Sequence, residues 1–504
     1  MREQWNSKVG FIVSAIGSAV GLGNLWRFPY VAANNGGGAF LLPYLIAIIT
    51  AGIPILIMEY TIGKSYRGGA PAALARLNRR FEWLGWVQVM ISFMILIYYL
   101  AIVVWTLSYV GFSFTQAWGT DPSKFFVKFL GVTANAHTLG GIQTNLLIPF
   151  IVVWVLAAVI MYRGISKGVE LACKIGLPIL MVLTCVLVIR GITLPHAADG
   201  LQYMFNPDWS SLAKPSVWIA AYGQIFYSLS IAFGIMISYS SYLPMETDVV
   251  NSAFITATAN HGFELFAGIG VFSIIGFMAY SQGVPVEQVA GAGVGLAFMT
   301  FPTAISSLPT MQALTGVCFF GALFVAGITS LVSISQVIVT AVKDKFEISH
   351  NRAVTFTLVP AFLLSIFFVT GAGLNILDIL DAFINNIGLA VSGFLELILV
   401  GWFFKLEQIR QMANRYSNFP ASKVWFIGCL KFVTVIMLGI MTFLNTRGFV
   451  LNGYGEYSQL DVNIFGWGSL LIVVIGAIVL NNAKSREGYA TLDPLTTKEV
   501  ALYE

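Results

Sequence analysis

The stretch GSAVGLGNLWRFPY, residues 17–30, lies inside an apolar segment that begins near Val9 and is long enough to cross a membrane. Its centre carries three glycines, an asparagine and an arginine. A glycine costs about 1 kcal/mol in a helix interior, and an arginine at the centre of a spanning helix costs at least about 2.5 kcal/mol. The stretch therefore predicts a membrane helix with a functional interruption.

The composition indicates an all-α integral membrane protein. Of 504 residues, 57% are hydrophobic and only 10% are charged, against roughly 25% charged residues in soluble domains. Apolar stretches of spanning length recur and predict about twelve transmembrane helices. The predicted spans are 9–33, 39–62, 84–112, 143–162, 166–190, 215–243, 250–281, 309–342, 353–372, 378–404, 422–446 and 464–482.

The distribution of Lys and Arg predicts the orientation. With the N-terminus inside, nineteen of these residues fall in cytoplasmic segments and five on the opposite side. We therefore expect a multi-pass protein of the cell membrane with both termini cytoplasmic. The net charge of +4 follows from this bias and gives no reason to expect a nucleic-acid partner. The first apolar segment lacks a small-residue cleavage site, so we expect it to be retained.

Other residue types indicate no separate chemistry. The four cysteines lie in apolar helices without paired spacing, which predicts core packing, and the four histidines lack the spacing of a metal site. No nucleophile, base and orienting group form a set, so an enzyme is not expected. The apolar segment 282–308 is expected to fold back over one membrane face as a lid.

A second interruption is predicted in the sixth helix, where Ser228, Ser230 and Gly234 lie in GQIFYSLSIAFG, residues 223–234. Weak points in the first helix of each five-helix half are typical of inverted-repeat transporters with a site at the repeat interface. The expected single domain of residues 1–504 then divides into repeats 9–190 and 215–404, two extra helices in 422–482 and a tail, 483–504. Close packing of small residues four apart, Gly17 and Gly21, remains an alternative for the first helix.

Unwound backbone at this depth offers specific ligands. Free amides near Gly21, Leu22 and Gly23 suit a carboxylate. Freed carbonyls and neutral side-chain oxygens suit Na⁺; the candidate side chains are Asn24, Ser228, Asn260, Thr329 and Ser330. Five acids, Glu59, Glu264, Asp378, Asp381 and Glu396, lie in or beside apolar spans, where a functional role is the default interpretation. For Glu59 and Glu396, helix locking by a hydrogen-bonded carboxyl is an equal alternative.

Longer motifs resemble the neurotransmitter:sodium symporter family, in its prokaryotic branch. They are GSAVGLGNLWRFPYVAANNGGGAFLLPY from residue 17, IYYLAIVVWTL at 97–107, RGISKGVE at 163–170, WIAAYGQIFYSLSIAFG at 218–234 and AGITSLVSI at 326–334. The resemblance covers nearly the whole chain in order. It implies the leucine-transporter fold, a 5+5 inverted repeat with unwound first and sixth helices.

The resemblance also implies two Na⁺ sites and a substrate pocket. The first sodium would be held by the Ala19 carbonyl, Asn24, Ser228, Asn260 and the substrate carboxylate. The second would be held by the carbonyls of Gly17, Val20 and Ala326 with the hydroxyls of Thr329 and Ser330. The pocket would be lined by Ser18, Ala19, Gly21, Leu22, Gly23, Ile95, Tyr99, Tyr227, Ser228, Ser230, Phe233, Ser330 and Ile334.

Gates at either end of the pocket follow from the same resemblance. Arg27 and Asp381 match the outer gate as an ion pair. The inner gate is matched by Arg2 and Asp344 as the charge pair, with Ser241 and Tyr242. Two departures stand out: Tyr227 where the family usually has phenylalanine, and Glu264 where chloride-dependent members have a serine beside Tyr44, Gln224, Ser228 and Asn260. A fixed carboxylate at 264 predicts transport without chloride.

These features predict sodium-coupled import of a neutral, hydrophobic amino acid by alternating access, with the lipid bilayer as the surrounding medium. Ile95, Phe233 and Ile334 offer no partner to a charged substrate side chain, which would be desolvated in their company. An amino-acid receptor of transporter-like structure, or a channel without coupling, is the alternative. The loss of sodium ligands or gate residues from the sequence would favour this alternative, and here both the sodium ligands and the gate residues are present.

Overall fold

The computed structural model describes residues 3–289 and 293–491, and this part of the chain is almost entirely helical. In chain order the helices of six or more residues are α1 (Lys8–Ala19), α2 (Gly23–Asn34), α3 (Gly38–Tyr66), α4 (Ala70–Leu77), α5 (Arg79–Ser113), α6 (Pro122–Leu130), α7 (Thr144–Tyr162), α8 (Ile165–Ile192), α9 (Ala197–Phe205), α10 (Pro215–Ser228), α11 (Ile235–Ser240), α12 (Val249–Gln282), α13 (Gly293–Ser307), α14 (Gln312–Phe346), α15 (His350–Val369), α16 (Gly373–Trp402), α17 (Leu406–Asn414), α18 (Lys423–Asn452) and α19 (Gln459–Asn482).

Ten of these helices are long and apolar enough to cross a membrane as single pieces: α3, α5, α7, α8, α12, α14, α15, α16, α18 and α19. An eleventh span is the pair α1 and α2, which are bent by 51° at their junction. The two short helices α10 and α11 occupy the place of the predicted sixth span. Each of the twelve predicted spans therefore coincides with one long helix or one broken pair.

The interior of the bundle is built around α5, α12 and α14, whose residues are mostly buried. Helix α1 packs against α8, α12 and α14, and α11 packs against α3. By contrast, α7, α8 and α19 present exposed apolar side chains such as Ile151, Val155, Ile175 and Ile475. Apolar side chains on the outer surface are typical of a protein that is surrounded by lipid. Both broken spans consequently lie against buried helices.

Both ends of the described chain lie at the same end of the bundle, which we call the terminal end. Trp5 donates its ring N–H to the Tyr239 carbonyl at 2.8 Å. Near the other end of the chain, the Arg486 amide donates to the Lys345 carbonyl at 2.9 Å. Lys345 also forms a buried 2.8 Å ion pair with Glu82. These contacts hold both chain ends against the helices of the bundle.

The predicted fold-back segment contains α13, which packs into the opposite end of the bundle. Residues 290–292, in its middle, lie outside the described residues. Phe298 of α13 is fully buried and stacks on Phe126, with ring centroids 5.2 Å apart. It also makes an edge contact with Trp26 of α2 at 6.2 Å. This segment therefore covers the far end of the first broken span.

Candidate functional site

The first helix break falls between α1 and α2, at residues 20–22. Gly17, Gly21 and Gly23 surround it, yet none of them has a positive φ. Each instead allows a close approach: a Cβ on Gly21 would lie 3.0 Å from the Ser330 hydroxyl oxygen, and a Cβ on Gly23 would overlap the Tyr227 ring. The break and the close packing that we considered as alternatives are both present.

The second break separates α10 from α11 at residues 229–234. Three of its residues have left-handed backbone: Ser230 with φ 53°, Ala232 with φ 64° and Gly234 with φ 74°. For the two that are not glycine, this conformation costs of order 1–3 kcal/mol each and persists only when the surroundings impose it. The sixth-helix break is therefore a strained backbone that other helices must hold.

Side chains from three neighbouring helices hold that strained backbone. Glu59 of α3 accepts a hydrogen bond from the Ala232 amide at 2.7 Å. Ser392 of α16 donates to the Ala232 carbonyl at 3.2 Å, and Ser92 of α5 donates to the Phe233 carbonyl at 2.9 Å. These bonds satisfy buried backbone groups that have no helical partner. For Glu59, the alternative role of a hydrogen-bonded carboxyl that locks helices together therefore corresponds to a specific hydrogen bond, the one from the Ala232 amide.

A cavity of about 50 Å³ lies where the two breaks meet. All thirteen residues that the sequence assigned to the substrate pocket line it. Four further residues complete the lining: Asn24, which was assigned to sodium, and Tyr98, Ile235 and Asn385, which sequence reasoning missed. Tyr98 is adjacent to Tyr99 and Ile235 follows Gly234, but no motif in the sequence singles out Asn385.

The cavity has a polar end and an apolar end. At the polar end, the Tyr99 hydroxyl lies beside the Ser330 hydroxyl and the Leu22 amide. At the other end, Ile95, Phe233 and Ile334 are buried and carry no polar side-chain atom. The arrangement can take a small molecule with one polar and one apolar end.

Three side chains assigned to the first sodium lie in one buried chain of hydrogen bonds. The Asn24 side-chain amide donates to the Asn260 Oδ1 at 2.9 Å, and Asn260 in turn donates to the Ser228 hydroxyl. The Asn24 Oδ1 accepts from the Gly21 amide at 2.8 Å. An amide oxygen has a second lone pair, so these neutral oxygens fit a hard cation such as Na⁺.

The residues assigned to the second sodium lie between α1 and α14. The Thr329 hydroxyl donates to the Ala326 carbonyl at 3.0 Å, and the Ser330 hydroxyl lies 3.4 Å from the Ser18 carbonyl. A Cβ on Gly17 would lie 3.9 Å from the Thr329 Cβ, which places the two helices in contact. The hydroxyls and carbonyls of this group are again neutral oxygen ligands.

The predicted outer gate residues do not form an ion pair with each other in the described part of the chain. The Arg27 guanidinium lies over the Tyr227 ring, 4.5 Å from its centroid. Asp381 accepts a hydrogen bond from Asn385 at 2.8 Å. A small second cavity of about 20 Å³ is lined by Arg27, Tyr227 and Asn385 among others, and it shares the last two with the central cavity. Tyr227 and Asn385 therefore form the partition between the two cavities.

The predicted inner gate lies at the terminal end, and Arg2 is outside the described residues. Asp344 is buried and accepts a hydrogen bond from the Gly69 amide at 2.8 Å. The Tyr242 hydroxyl lies 3.0 Å from the Thr340 hydroxyl, and Ser241 donates to the Ser238 carbonyl at 2.6 Å. These three gate residues are thus buried below the central cavity.

Glu264 lies in a fully buried polar cluster beside the first-sodium residues. Gln224 donates to one carboxyl oxygen at 2.8 Å, and the Tyr44 hydroxyl donates to the other. His261 contacts the same oxygen at 3.0 Å and also contacts Tyr44. Sequence reasoning missed His261, although its position three residues before Glu264 places both side chains on one helix face.

The other intramembrane acids have individual partners. Asp378 accepts hydrogen bonds from Tyr454 at 3.1 Å and Tyr457 at 2.9 Å. Glu396 accepts one from Gln88 at 2.8 Å. The Glu396 contact joins α16 to α5, and the Asp378 contacts join α16 to the loop between α18 and α19, so packing is a sufficient role for these two carboxyls.

A bundle with two discontinuous spans and a buried cavity at their junction defines a class, that of the secondary membrane transporters with broken helices. The chain matches the model of the sodium:neurotransmitter symporter family over residues 2–125 and 120–485. It belongs to this family, and it is a multi-pass membrane transporter, not an enzyme.

Similar proteins come from archaea and animals. The chain is 39% identical over 489 residues to the uncharacterized sodium-dependent transporter MJ1319 of Methanocaldococcus jannaschii, covering 97% of this chain and 99% of the relative. It is 32% identical to the sodium-dependent dopamine transporter of Bos taurus, with 90% and 71% covered. A solved structure of MhsT in complex with L-phenylalanine superposes with a TM-score of 0.74 at 33% identity, covering 88% of this chain and all of that chain.

Proposed function

We propose that the protein is a sodium-coupled symporter that imports a neutral, hydrophobic amino acid by alternating access and does not require chloride. The observation that carries the proposal is the cavity between the two helix breaks. Its polar end carries the Tyr99 hydroxyl and the Leu22 amide, and its other end is apolar. An amino acid fits this polarity, with its carboxylate at the helix break and its side chain among Ile95, Phe233 and Ile334.

Sodium coupling is supported by the position of the neutral oxygens. Asn24 hydrogen-bonds the Gly21 amide, so the first-sodium group and the proposed carboxylate subsite share the same turn of backbone. A cation held there together with the substrate carboxylate makes the affinity of each depend on the other. The second group, with Thr329 and Ser330, supports a second Na⁺ between α1 and α14.

The substrate class is proposed from the absence of a charged side chain among the cavity residues, all of which are described. An acidic or basic substrate would leave its charge unpaired there, at a high desolvation cost. The MhsT structure, which contains L-phenylalanine, adds support for an apolar substrate. Selectivity between apolar side chains is worth only about 1–3 kcal/mol per methylene, so several such amino acids should compete.

Independence from chloride is proposed from Glu264. Its carboxyl lies in the Tyr44 and Gln224 cluster, one helical turn along α12 from Asn260, and supplies a fixed negative charge beside the first sodium. Replacing chloride by gluconate should leave uptake unchanged. In Glu264→Ser the fixed charge is removed, and we expect uptake to become chloride-dependent.

The topology proposal places both termini in the cytoplasm, from the bias of Lys and Arg. The terminal end, which holds both ends of the described chain, is then the inner end. The internal organisation is proposed as repeats 9–190 and 215–404 with the extra helices in 422–482. Cysteine labelling of Lys405→Cys and Lys124→Cys in intact cells tests the orientation, since only the second should react with an impermeant reagent.

The deciding experiment is a binding screen of the twenty amino acids on the purified full-length protein, in Na⁺ and again in K⁺. We expect neutral apolar amino acids to bind in Na⁺ only. Binding that is indifferent to the cation would refute the coupling. Uptake into proteoliposomes under an imposed Na⁺ gradient then separates a symporter from a receptor, which would bind without accumulation.

Asn24→Ala tests the shared site. Because Asn24 contacts both the Gly21 amide and Asn260, the variant should weaken sodium and amino-acid binding together. An effect on only one of the two ligands would argue against a shared site. Asn145→Ala, which removes a side-chain amide that donates to the Phe129 carbonyl at 2.8 Å and lines neither cavity, is the matched control.

A further inference from the structure

An apolar groove of about 280 Å³ lies on the outer surface of the bundle, between α7, α8 and α14. The side chains of Val159, Leu171, Ile175 and Ile179 on its walls are each more than two-fifths exposed. Gly168, Ala172 and Gly176, four residues apart on α8, line its floor, and the two glycines lie in close contact with α7 and α14. No part of the proposed transport cycle uses this surface.

One end of the groove is basic. Arg163 and Lys167 line it, both side chains are exposed, and neither forms an ion pair within the described residues. The acids nearby have other partners: Glu170 pairs with Lys174 at 2.5 Å, and the Glu3 carboxylate accepts from the Ser166 amide at 3.1 Å. Two cations are therefore available where the helices leave the apolar region.

The length of the groove matches one leaflet of a bilayer. From Lys167 to Ile179 the helical rise of 1.5 Å per residue gives about 18 Å, against about 15 Å for half of a 30 Å hydrocarbon core. Basic residues at the membrane edge attract anionic lipid headgroups. We propose that this groove binds an acyl chain of an anionic phospholipid, with the phosphate held by Arg163 and Lys167.

The floor of the groove lies against the second-sodium group. Thr329 lines the groove, and a Cβ on Gly176 would lie 3.1 Å from the Thr329 methyl carbon. An acyl chain in the groove covers the outer side of this residue and keeps water from it. On the proposed function, in which the Thr329 hydroxyl is a sodium ligand, lipid binding therefore raises the apparent affinity for Na⁺.

Photo-crosslinking tests the site without reference to transport. The delipidated full-length protein is mixed with phosphatidylglycerol that carries a diazirine on one acyl chain, and the labelled peptides are mapped. We expect label within residues 156–179 and 324–329. Unlabelled phosphatidylglycerol should compete at about 30-fold lower concentration than phosphatidylcholine, the factor expected for two basic side chains near the surface. Label spread evenly over the lipid-facing helices, or equal competition by both lipids, overturns the proposal.

Variants separate the headgroup from the chain. The double variant Arg163→Gln and Lys167→Gln should make the two lipids compete equally. Because both side chains are exposed, the substitutions should leave the protein folded. Ala172→Leu fills the groove and should abolish labelling there. The controls are Lys405→Gln with Lys423→Gln for charge, and Gly448→Leu for bulk, since a side chain at Gly448 meets open space. Unchanged labelling in Ala172→Leu would refute the site.

The sodium consequence is measured separately. Sodium titrations of amino-acid binding, with and without phosphatidylglycerol, should differ in midpoint by several-fold in the wild type and not in the double Gln variant. If the groove is labelled as expected but phosphatidylglycerol leaves the sodium midpoint unchanged, the link to Thr329 is refuted and the lipid site stands. Amino-acid binding that ignores sodium altogether refutes the proposed function instead.

Discussion

The two helix breaks reach the same result by different physical means. Between α1 and α2 the backbone near Gly21 and Gly23 has no positive φ, and the glycines serve close approach to Ser330 and Tyr227. Between α10 and α11, by contrast, Ala232 adopts left-handed backbone that is held by other helices. The first break depends on missing side chains and the second on added hydrogen bonds. At the first break an added side chain should therefore weaken ligand binding, and at the second break the loss of a hydrogen-bonding side chain should weaken it.

The largest effect is expected for Glu59→Leu, which breaks the second helix interruption. The Ala232 amide would be buried without a partner, at a cost of about 1–3 kcal/mol, and the strained backbone at Ser230 and Ala232 would lose its support. We expect sodium-dependent amino-acid binding to fall by more than about 100-fold, since every 1.4 kcal/mol is tenfold. Equilibrium binding to the purified variant measures it.

Glu59→Gln is the matched control. The amide oxygen of glutamine can still accept the hydrogen bond from the Ala232 N–H. In the wild type the Ala232 nitrogen lies 2.7 Å from the Glu59 carboxyl oxygen, so binding by the variant should stay within about tenfold of wild type. If the Gln variant is as damaged as the Leu variant, the carboxyl has a role other than accepting this bond.

The next effect in size is expected for Gly23→Val at the first break. The new side chain would overlap the Tyr227 ring, and overpacking costs about 1–3 kcal/mol, or about 5- to 150-fold in binding. Tyr227→Leu should restore part of the loss because it removes the colliding ring edge. Gly448→Val, with open space around it, measures the cost to the helix alone. No rescue by Tyr227→Leu would contradict the steric explanation.

The difference between the breaks also explains what the sequence predicted. The spans and both interruptions followed from local patterns, because glycines and serines within apolar helices can be recognised in the sequence itself. The thirteen cavity residues followed from the resemblance to the motifs of the family. Glu59, Ser92 and Ser392 act on residues more than 140 positions away in the chain. Such tertiary contacts leave no local signal, so the way in which the second break is held was not predictable.

The gates show the same limit. The motifs identified Arg27 and Asp381, but the position of Arg27 over the Tyr227 ring depends on how α2, α10 and α16 pack around a cavity. Asn385 likewise joins the cavity lining only through the packing of α16 against α5. Sequence spacing predicted which residues lie near the gate, and not which pairs of them touch.

A smaller effect is expected for Gly21→Ala. The added Cβ would lie 3.0 Å from the Ser330 hydroxyl oxygen and 3.6 Å from the Tyr99 hydroxyl oxygen, which is tight without being forbidden. Binding of sodium and amino acid should weaken by about 3- to 10-fold, at the low end of overpacking costs. Combined with Ser330→Ala the losses should not add, because the two residues are in contact. Strict additivity in this double-mutant cycle would count against the proposed crowding.

The smallest effect, and the one of opposite sign, is expected for Ala232→Gly. Left-handed backbone costs alanine roughly 1–2 kcal/mol, whereas glycine adopts it freely but loses about 0.5–1 kcal/mol more entropy on folding. Loss of the buried Ala232 methyl, which packs near Gly393, offsets a further part of the gain. Binding should therefore stay equal to wild type or improve by up to about threefold, while Ala232→Val, β-branched at a positive φ, should weaken it. If Ala232→Gly instead weakens binding as much as Gly21→Ala does, then the backbone at residue 232 is not strained and the two breaks are alike.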